Sequence, residues 1–307
     1  MLQQACPRRW QTGQMAISTG VVRLVDGRWS QFAEFGAPRD APAVLYCHGW
    51  PGSRWEIGWG QQVLAERRHP VRVIAANRPG YGRSSWVPLA GFRSWVADAA
   101  TVLDRLGVAS CAVLGASGGA PFALACAAEL GERVSRVAIV AGVGPMDTPG
   151  MSRSAVAGTT VFGMGSRWPL LAAVRGMGLD RWQEERMLAA LPDPDRRALR
   201  AESARATLHR VAAEGFAQVG RAAAHEERLY RRPWDLALDA VHQPVKVWHG
   251  GADTRVPAEV GNDLAQRVRD GSFHCWPQHG HFSWATSPEL HEVIGFLTAD
   301  SSGQIDS

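Results

Sequence analysis

The stretch CAVLGASGGAPFALA, residues 111–125, joins an apolar run to a glycine-rich corner and then to an alanine-rich helical pattern. Two chemistries fit such a corner. Its glycines let a backbone approach a cofactor phosphate, or they make room for a nucleophile at Ser117. A dinucleotide site needs a third glycine for helix–strand packing, and here that position is Pro121, which has no N–H to offer. The Tyr-x-x-x-Lys pair that accompanies one class of such sites is also missing. Four residues after Tyr46, Tyr81 and Tyr230 stand Trp50, Ser85 and Trp234. The nucleophile reading needs only what is present. Gly115-Ala116-Ser117-Gly118-Gly119 is a G-x-S-x-G, in which the small residues two before and two after the serine let strand and helix approach closely.

A serine hydroxyl is a poor nucleophile at neutral pH, so it needs a base, and the base needs an orienting acid. Downstream, HGGADTRVP carries Asp253, and PQHGHFSW carries His279 and His281. Upstream, HGWPGS at 48–53 offers the Trp50 backbone N–H, which with the Gly118 N–H would hold a substrate oxyanion, Pro51 and Gly52 shaping the turn. Read as metal ligands, the two histidines lack further His, Asp or Cys partners at suitable spacing, so no metal is expected. His48 and His249 read as structural, and Asp98 and Asp104 as solvated or locally paired on a helix.

Each candidate follows an apolar run that reads as a strand. Residues 20–36 hold two such runs around Asp26-Gly27, a hairpin signal. Further strands are expected at 43–49, 71–77, 111–116, 133–144, 245–250 and 272–277. Helical patterns are expected at 53–68, 91–107, 257–268 and 284–297. Apolar strands alternating with helices imply a parallel sheet covered on both faces, with the site beyond the strands' carboxyl ends. The rhythm breaks between 145 and 240, where Ala, Leu, Arg and Glu dominate and no strand is convincing. That segment reads as a helical insertion splitting a core of 1–144 and 241–307. Its apolar run 161–174 suggests that Phe162, Met164, Trp168 and Leu171 line a substrate pocket, or else pack the insertion onto the core. Trp50, Trp55, Trp59, Trp86, Trp168 and Trp284 are placed near the mouth.

Composition excludes other classes. Among 307 residues there is no run of eighteen apolar positions, so no membrane span is expected. The first sixteen residues have no apolar segment of the kind a secretory leader carries. The net charge of +4 is spread along the chain, with Lys246 the single lysine, and it reads as a compositional bias. No basic run interleaved with aromatics points to nucleic acid. The five cysteines, Cys6, Cys47, Cys111, Cys126 and Cys275, form no C-x-x-C pair, and three sit in apolar patterns, so a reducing cytoplasm is expected.

Taken together, HGWPGS, NRPGYGRSS, LGASGGAPFALA, GGADTRVP and GHFSW occur in the order seen in the α/β-hydrolase family, in its capped group with esterases, epoxide hydrolases and dehalogenases. The resemblance covers nearly the whole chain outside the insertion. It implies a mostly parallel sheet flanked by helices, with a helical cap at 145–240 and no cofactor. By that resemblance Ser117 is the nucleophile, Asp253 the acid and His281, in Gly-His, the base. Asp147 is the rival acid, because some members place it after the sixth strand. Asn77 departs from the commoner Asp, and Ser117 departs from the Asp that epoxide hydrolases carry at the corner. The implied reaction is hydrolysis of an ester, lactone or thioester of a mostly apolar carbonyl compound by a monomer or homodimer. The same residues also suit C–C bond hydrolysis or a non-hydrolytic cyclase or lyase step. A ligand receptor with a vestigial triad is the non-enzymatic alternative.

Overall fold

Strands β1 (Ile17–Arg23) and β2 (Trp29–Gly36) form the expected hairpin, with Gly27 in the left-handed region at its tip. They lead into β3 (Ala43–Cys47), β4 (Arg72–Ala76), β5 (Cys111–Ala116), β6 (Val134–Val140), β7 (Val245–Gly250) and β8 (Gly271–Trp276). The computed structural model describes residues 17–66, 68–153, 185 and 188–299. The eight strands make one sheet in the order β1-β2-β4-β3-β5-β6-β7-β8. β2 runs antiparallel to β1 and β4, and every other pairing is parallel. The chain direction across the sheet reverses between β3 and β5, so the loops leaving these two strands diverge and leave a crevice, the usual place for a site in such a sheet.

Helices α1 (Gln61–Ala65), α2 (Val96–Arg105), α3 (Ala120–Leu130), α4 (Asp193–Arg200), α5 (Glu202–Gly215), α6 (Arg221–Tyr230), α7 (Ala258–Arg267) and α8 (Leu290–Thr298) are the α-helices of at least five residues among the described positions. α2, α3 and α7 bury their apolar sides in one core cluster with Leu45, Val113 and Ile139. α1 and α8 cover the other face, with Val44, Leu114 and Trp248. Adjacent residues of β3, β5 and β6 thus alternate between two cores, which is why β3 and β5 are apolar throughout and β6 is so from Val137 to Val140.

Three expected helices are shorter than the sequence suggests, and over 91–107 a 3₁₀ turn at Arg93–Trp95 precedes α2. Over 53–68 the chain makes a 3₁₀ turn at Glu56–Gly60 and only then α1. Gly60 lies so close to Leu290 of α8 that a Cβ there would collide with its side chain, so packing outweighs helical propensity. The last helix begins at Leu290 because Pro288 forces Ser287 into an extended conformation after a short turn at Ser283–Thr286.

Between β6 and β7 the described residues contain no strand; short 3₁₀ turns, helical positions at 185 and 188–189, and α4 to α6 lie there. These helices meet the core through apolar contacts of Leu199, Leu229 and Tyr230 and through hydrogen bonds and ion pairs with the core loops. The Trp59 indole donates to Ala204 O at 3.1 Å and the Trp50 indole to Ala223 O at 2.8 Å. Arg54 pairs with Glu214 at 2.8 Å, and Arg78 with Glu226 at 2.6 Å. Phe162, Met164, Trp168 and Leu171 lie outside the described residues. No helix among the described residues is long and apolar enough to cross a membrane.

Candidate active site

Ser117 stands on a corner between β5, which ends extended at Ala116, and α3. Its φ is 51°, in the left-handed region that disfavours a residue with a Cβ. Such a conformation costs about 1–3 kcal/mol and persists only where neighbours over-determine it. Here they do. A Cβ on Gly119 would collide with the Cys47 carbonyl, and one on Gly115 would lie 2.8 Å from the Ala123 methyl. Val143 N–H donates to Ser117 O at 3.2 Å. Strand and helix are therefore pressed together, and the serine is turned out at the crest.

His281 follows β8 and reaches the same point from the other side. Its Nε2 lies 2.9 Å from Ser117 Oγ, and its Nδ1 lies 2.7 Å from Asp253 Oδ2. The Asp253 carboxylate is an acceptor only, so Nδ1 carries the proton and Nε2 is left to accept from the serine hydroxyl. Asp253 is fixed in turn by N–H donations from Arg255 (2.8 Å) and Val256 (2.9 Å) to its Oδ1. Its burial opposes ionisation, yet the nearby His281 charge and hydrogen bonds from His249 and His281 outweigh that and hold the carboxyl below the usual carboxylate range. His249 Nε2 sits 2.8 Å from Val256 O and 3.2 Å from Asp253 Oδ2, both acceptors, so it donates.

Of the sequence candidates, Ser117, Asp253 and His281 come together. The other two do not. His279 turns to Ser283 Oγ at 3.3 Å and Glu289 at 3.4 Å. Asp147 is exposed and bound to Arg267 at 3.0 Å. Among the described residues no group of three or more His, Cys, Asp or Glu side chains is arranged to hold a metal ion.

The loop after β3 borders the serine. A Cβ added to Gly118 would lie 3.0 Å from Trp50 N and 2.5 Å from Trp50 Cβ, so the two main chains run side by side, and only glycine allows it. The loop rests on buried polar groups that the sequence did not reveal as a set. Arg78 donates to His48 O (2.6 Å) and Gly49 O (3.0 Å) and is neutralised by Glu226 of α6. Tyr81 OH also donates to Glu226, at 2.7 Å. Tyr230 of α6 donates to Gly118 O at 2.7 Å and meets the Trp50 ring edge-on. His48 is wholly buried, and burial together with the Arg78 charge keeps it well below its ordinary pKa, hence neutral, as a structural role requires. Asn77 proves apt where the resemblance expects Asp. Its Nδ2 donates to Glu214 at 2.7 Å while its Oδ1 accepts from Arg54 N–H at 2.8 Å. A carboxylate would accept at both places and face Glu214 with like charge. Asp98, expected to be solvated or locally paired, is buried and paired with Arg28 at 2.6 Å across seventy residues.

Glu56 lies beneath the same loop. Its carboxyl accepts from Gly49 N–H at 2.9 Å and from Tyr46 OH at 3.0 Å. Burial pushes it up from 4.5 to about 7, against the pull of those bonds and of Arg78 and His281. A carboxyl whose pKa is higher folded than unfolded stabilises the fold fully below the unfolded value, and that contribution is lost as pH rises through the folded one. Between pH 4.5 and about 7 this group alone therefore lowers stability with rising pH, by a few kcal/mol at most at ~1.4 kcal/mol per pKa unit. Denaturant titrations across that window should show a shallower decline in Glu56→Gln than in the parent. Parallel curves would remove the carboxyl as the cause.

A model of the alpha/beta hydrolase fold matches residues 42–294. A bifunctional esterase/perhydrolase of Acinetobacter calcoaceticus is 26% identical over 286 residues, which is 91% of this chain and 99% of that protein. A 2-hydroxymuconate semialdehyde hydrolase of Pseudomonas putida is 29% identical over 220 residues, covering 69% of this chain and 71% of its own. Among solved structures, an esterase from a Rhodococcus species superposes with a TM-score of 0.64 at 22% identity, covering 91% of this chain and 99% of its own.

Proposed function

Because this chain belongs to the α/β-hydrolase fold family of enzymes, we propose that it is a serine hydrolase that cleaves a carboxylic ester, lactone or thioester through an acyl-enzyme on Ser117. The observation that carries the reading is the unbroken line from Asp253 Oδ2 through the imidazole to Ser117 Oγ, with links of 2.7 and 2.9 Å. In the first half-reaction His281 Nε2 takes the hydroxyl proton as Oγ attacks the carbonyl carbon. The oxyanion forms against the Trp50 and Gly118 N–H groups, each such donor contributing about 3–4 kcal/mol where it has been removed from comparable sites. His281 then gives its proton to the leaving alkoxide or thiolate as the carbon–heteroatom bond breaks. In the second half-reaction the neutral imidazole takes a proton from water, the hydroxide adds to the acyl carbon, and the proton returns to Ser117 Oγ as the acid leaves. Asp253 stays ionised throughout and holds the tautomer.

The substrate proposed is a mostly apolar, uncharged carbonyl compound held under a cap formed by 145–240, the support being the apolar run 161–174 in the sequence. Burial of such a compound contributes ~25 cal/mol per Å² of apolar surface. Action in a reducing cytoplasm is part of the same proposal and rests on the cysteine pattern. A second reading, C–C bond hydrolysis by the same residues, is favoured by the likeness to the 2-hydroxymuconate semialdehyde hydrolase.

A fluorophosphonate probe tests the class. It should label the folded protein once, and peptide mapping should place the adduct on Ser117. A burst of alcohol release from p-nitrophenyl esters should accompany steady turnover. Labelling at another residue would sink the reading. Labelling at Ser117 with no ester turnover, but with cleavage of a β-diketone or vinylogous diketone, would select the second reading.

A further inference from the structure

Asp195 lies in the first turn of α4, in the segment between β6 and β7, and is fully buried. Its carboxylate faces no cation within ion-pair distance among the described residues. It accepts instead from three successive backbone N–H groups of the loop after β8. Oδ2 takes His281 N–H at 2.8 Å, and Oδ1 takes Phe282 N–H at 2.8 Å and Ser283 N–H at 2.9 Å. The loop is shaped for this. A Cβ at Gly280 would run into the Asp195 carboxyl, and Gly280 N–H is itself taken by Ser283 Oγ at 2.8 Å. The carbonyl side is held too, since the Trp284 indole donates to His281 O at 3.0 Å.

We propose that Asp195 is a positioning residue for the base: by gripping the backbone of 281–283, the segment between β6 and β7 sets the height and tilt at which the His281 imidazole spans Ser117 and Asp253. The proposal rests on the reading of His281 as the base. Two physical points support it. An imidazole shared between two hydrogen bonds tolerates little displacement, and a misplacement of about 1 Å costs on the order of 100-fold in rate. The loop has no regular secondary structure of its own at His281, so its backbone bonds come from whatever packs on it, and here that is a carboxylate 86 residues away in the chain.

The test compares Asp195→Asn and Asp195→Ala with the parent, in the full chain, on a p-nitrophenyl ester at a temperature well below every melting midpoint, with Ser117→Ala as control. Asn keeps the size but turns an NH₂ against one of the three N–H donors, and Ala removes the grip. The expected result is a kcat lower by about 10-fold in Asn and about 100-fold in Ala, with KM within about twofold of the parent. A merely structural role would lower the melting midpoint and leave kcat in place, and that result overturns the proposal. So would failure of the isosteric Asn variant to fold, which would assign Asp195 to stability. If instead Ser117→Ala keeps its turnover, the serine mechanism is what fails, whatever the Asp195 variants do.

Discussion

Ser117→Ala should lower kcat on a p-nitrophenyl ester by on the order of 10⁵-fold or more while leaving the fold intact. The expectation follows from how the parts act together. With no Oγ there is no acyl-enzyme, and His281 and Asp253 have no proton to move, so their contributions vanish with the serine's. What is left is general polarisation by the loop after β3, a residual that serine hydrolases retain over water. The fold should be little affected, because a left-handed alanine at 117 is no worse strained than a left-handed serine and only the hydroxyl's hydrogen bond to His281 Nε2 is lost. Purified variant, ester hydrolysis and thermal melting decide the matter. Turnover within tenfold of the parent, on a preparation shown free of contaminating esterase, would place the nucleophile elsewhere.

The second large effect is expected at Asp253. Replacing it with Asn should cost on the order of 10⁴ in kcat with little change in the structure. Oδ1 accepts two backbone N–H groups, so the amide oxygen of Asn is held there and its NH₂ is turned toward His281 Nδ1. A donor at that place forces Nδ1 to accept and moves the imidazole proton to Nε2, where it faces the serine hydroxyl and cannot take its proton. The geometry is preserved and the tautomer is wrong. Asp147→Asn should by contrast be near parental, because its carboxylate lies at the surface against Arg267. The two variants measured side by side on one ester give the answer, and a reversed order of severity would transfer the acid's role to Asp147.

The sheet and the three residues that meet at Ser117 were legible for a common reason. β3 and β5 are unbroken apolar runs, β4, β6 and β7 are largely apolar, and the polar residues that follow the parallel strands fall on one rim. Order along the chain therefore translated directly into position along the crevice. The corner at 115–119 was legible because sterics permit few residues there: Gly119 faces a backbone carbonyl, and Gly115 faces a helix. The choice between His279 and His281 needed family resemblance, since two histidines separated by one glycine leave the same strand, and only tertiary packing sends one to Ser117 and the other to Ser283 and Glu289.

Other features were not legible, and the physical reason is sequence distance. Asp195 in LPDPDRR looks like an ordinary acid of a helix's first turn, where it would favour the helix dipole. Nothing local announces that its partners are at 281–283. Glu226 and Tyr230 sit in an Arg- and Glu-rich helix that reads as a solvated surface, yet both are buried. A weak signal existed in the Arg78-Pro-Gly-Tyr81 stretch, where a buried arginine requires a carboxylate from somewhere. Glu56 gave none, because its burial follows from the 3₁₀ turn that replaced the expected longer helix.

The acids of the segment between β6 and β7 have a consequence for how such a molecule diversifies. Asp195, Glu214 and Glu226 each anchor a loop that leaves the sheet: one the loop of His281, one Arg54 and Asn77, and one Arg78, which in turn carries the carbonyls of His48 and Gly49. The segment and the rim beneath it are thus a single mated pair of parts, like a keyed lid and its box. A segment from another chain grafted at the same junctions would need acids at these same three places. Without them Arg78 would be an uncompensated buried cation and the backbone N–H groups of 281–283 would lack their carboxylate acceptor. Exchange of this segment is therefore compatible with the rim only where its three acids stay, or where Arg54, Asn77 and Arg78 are exchanged with it.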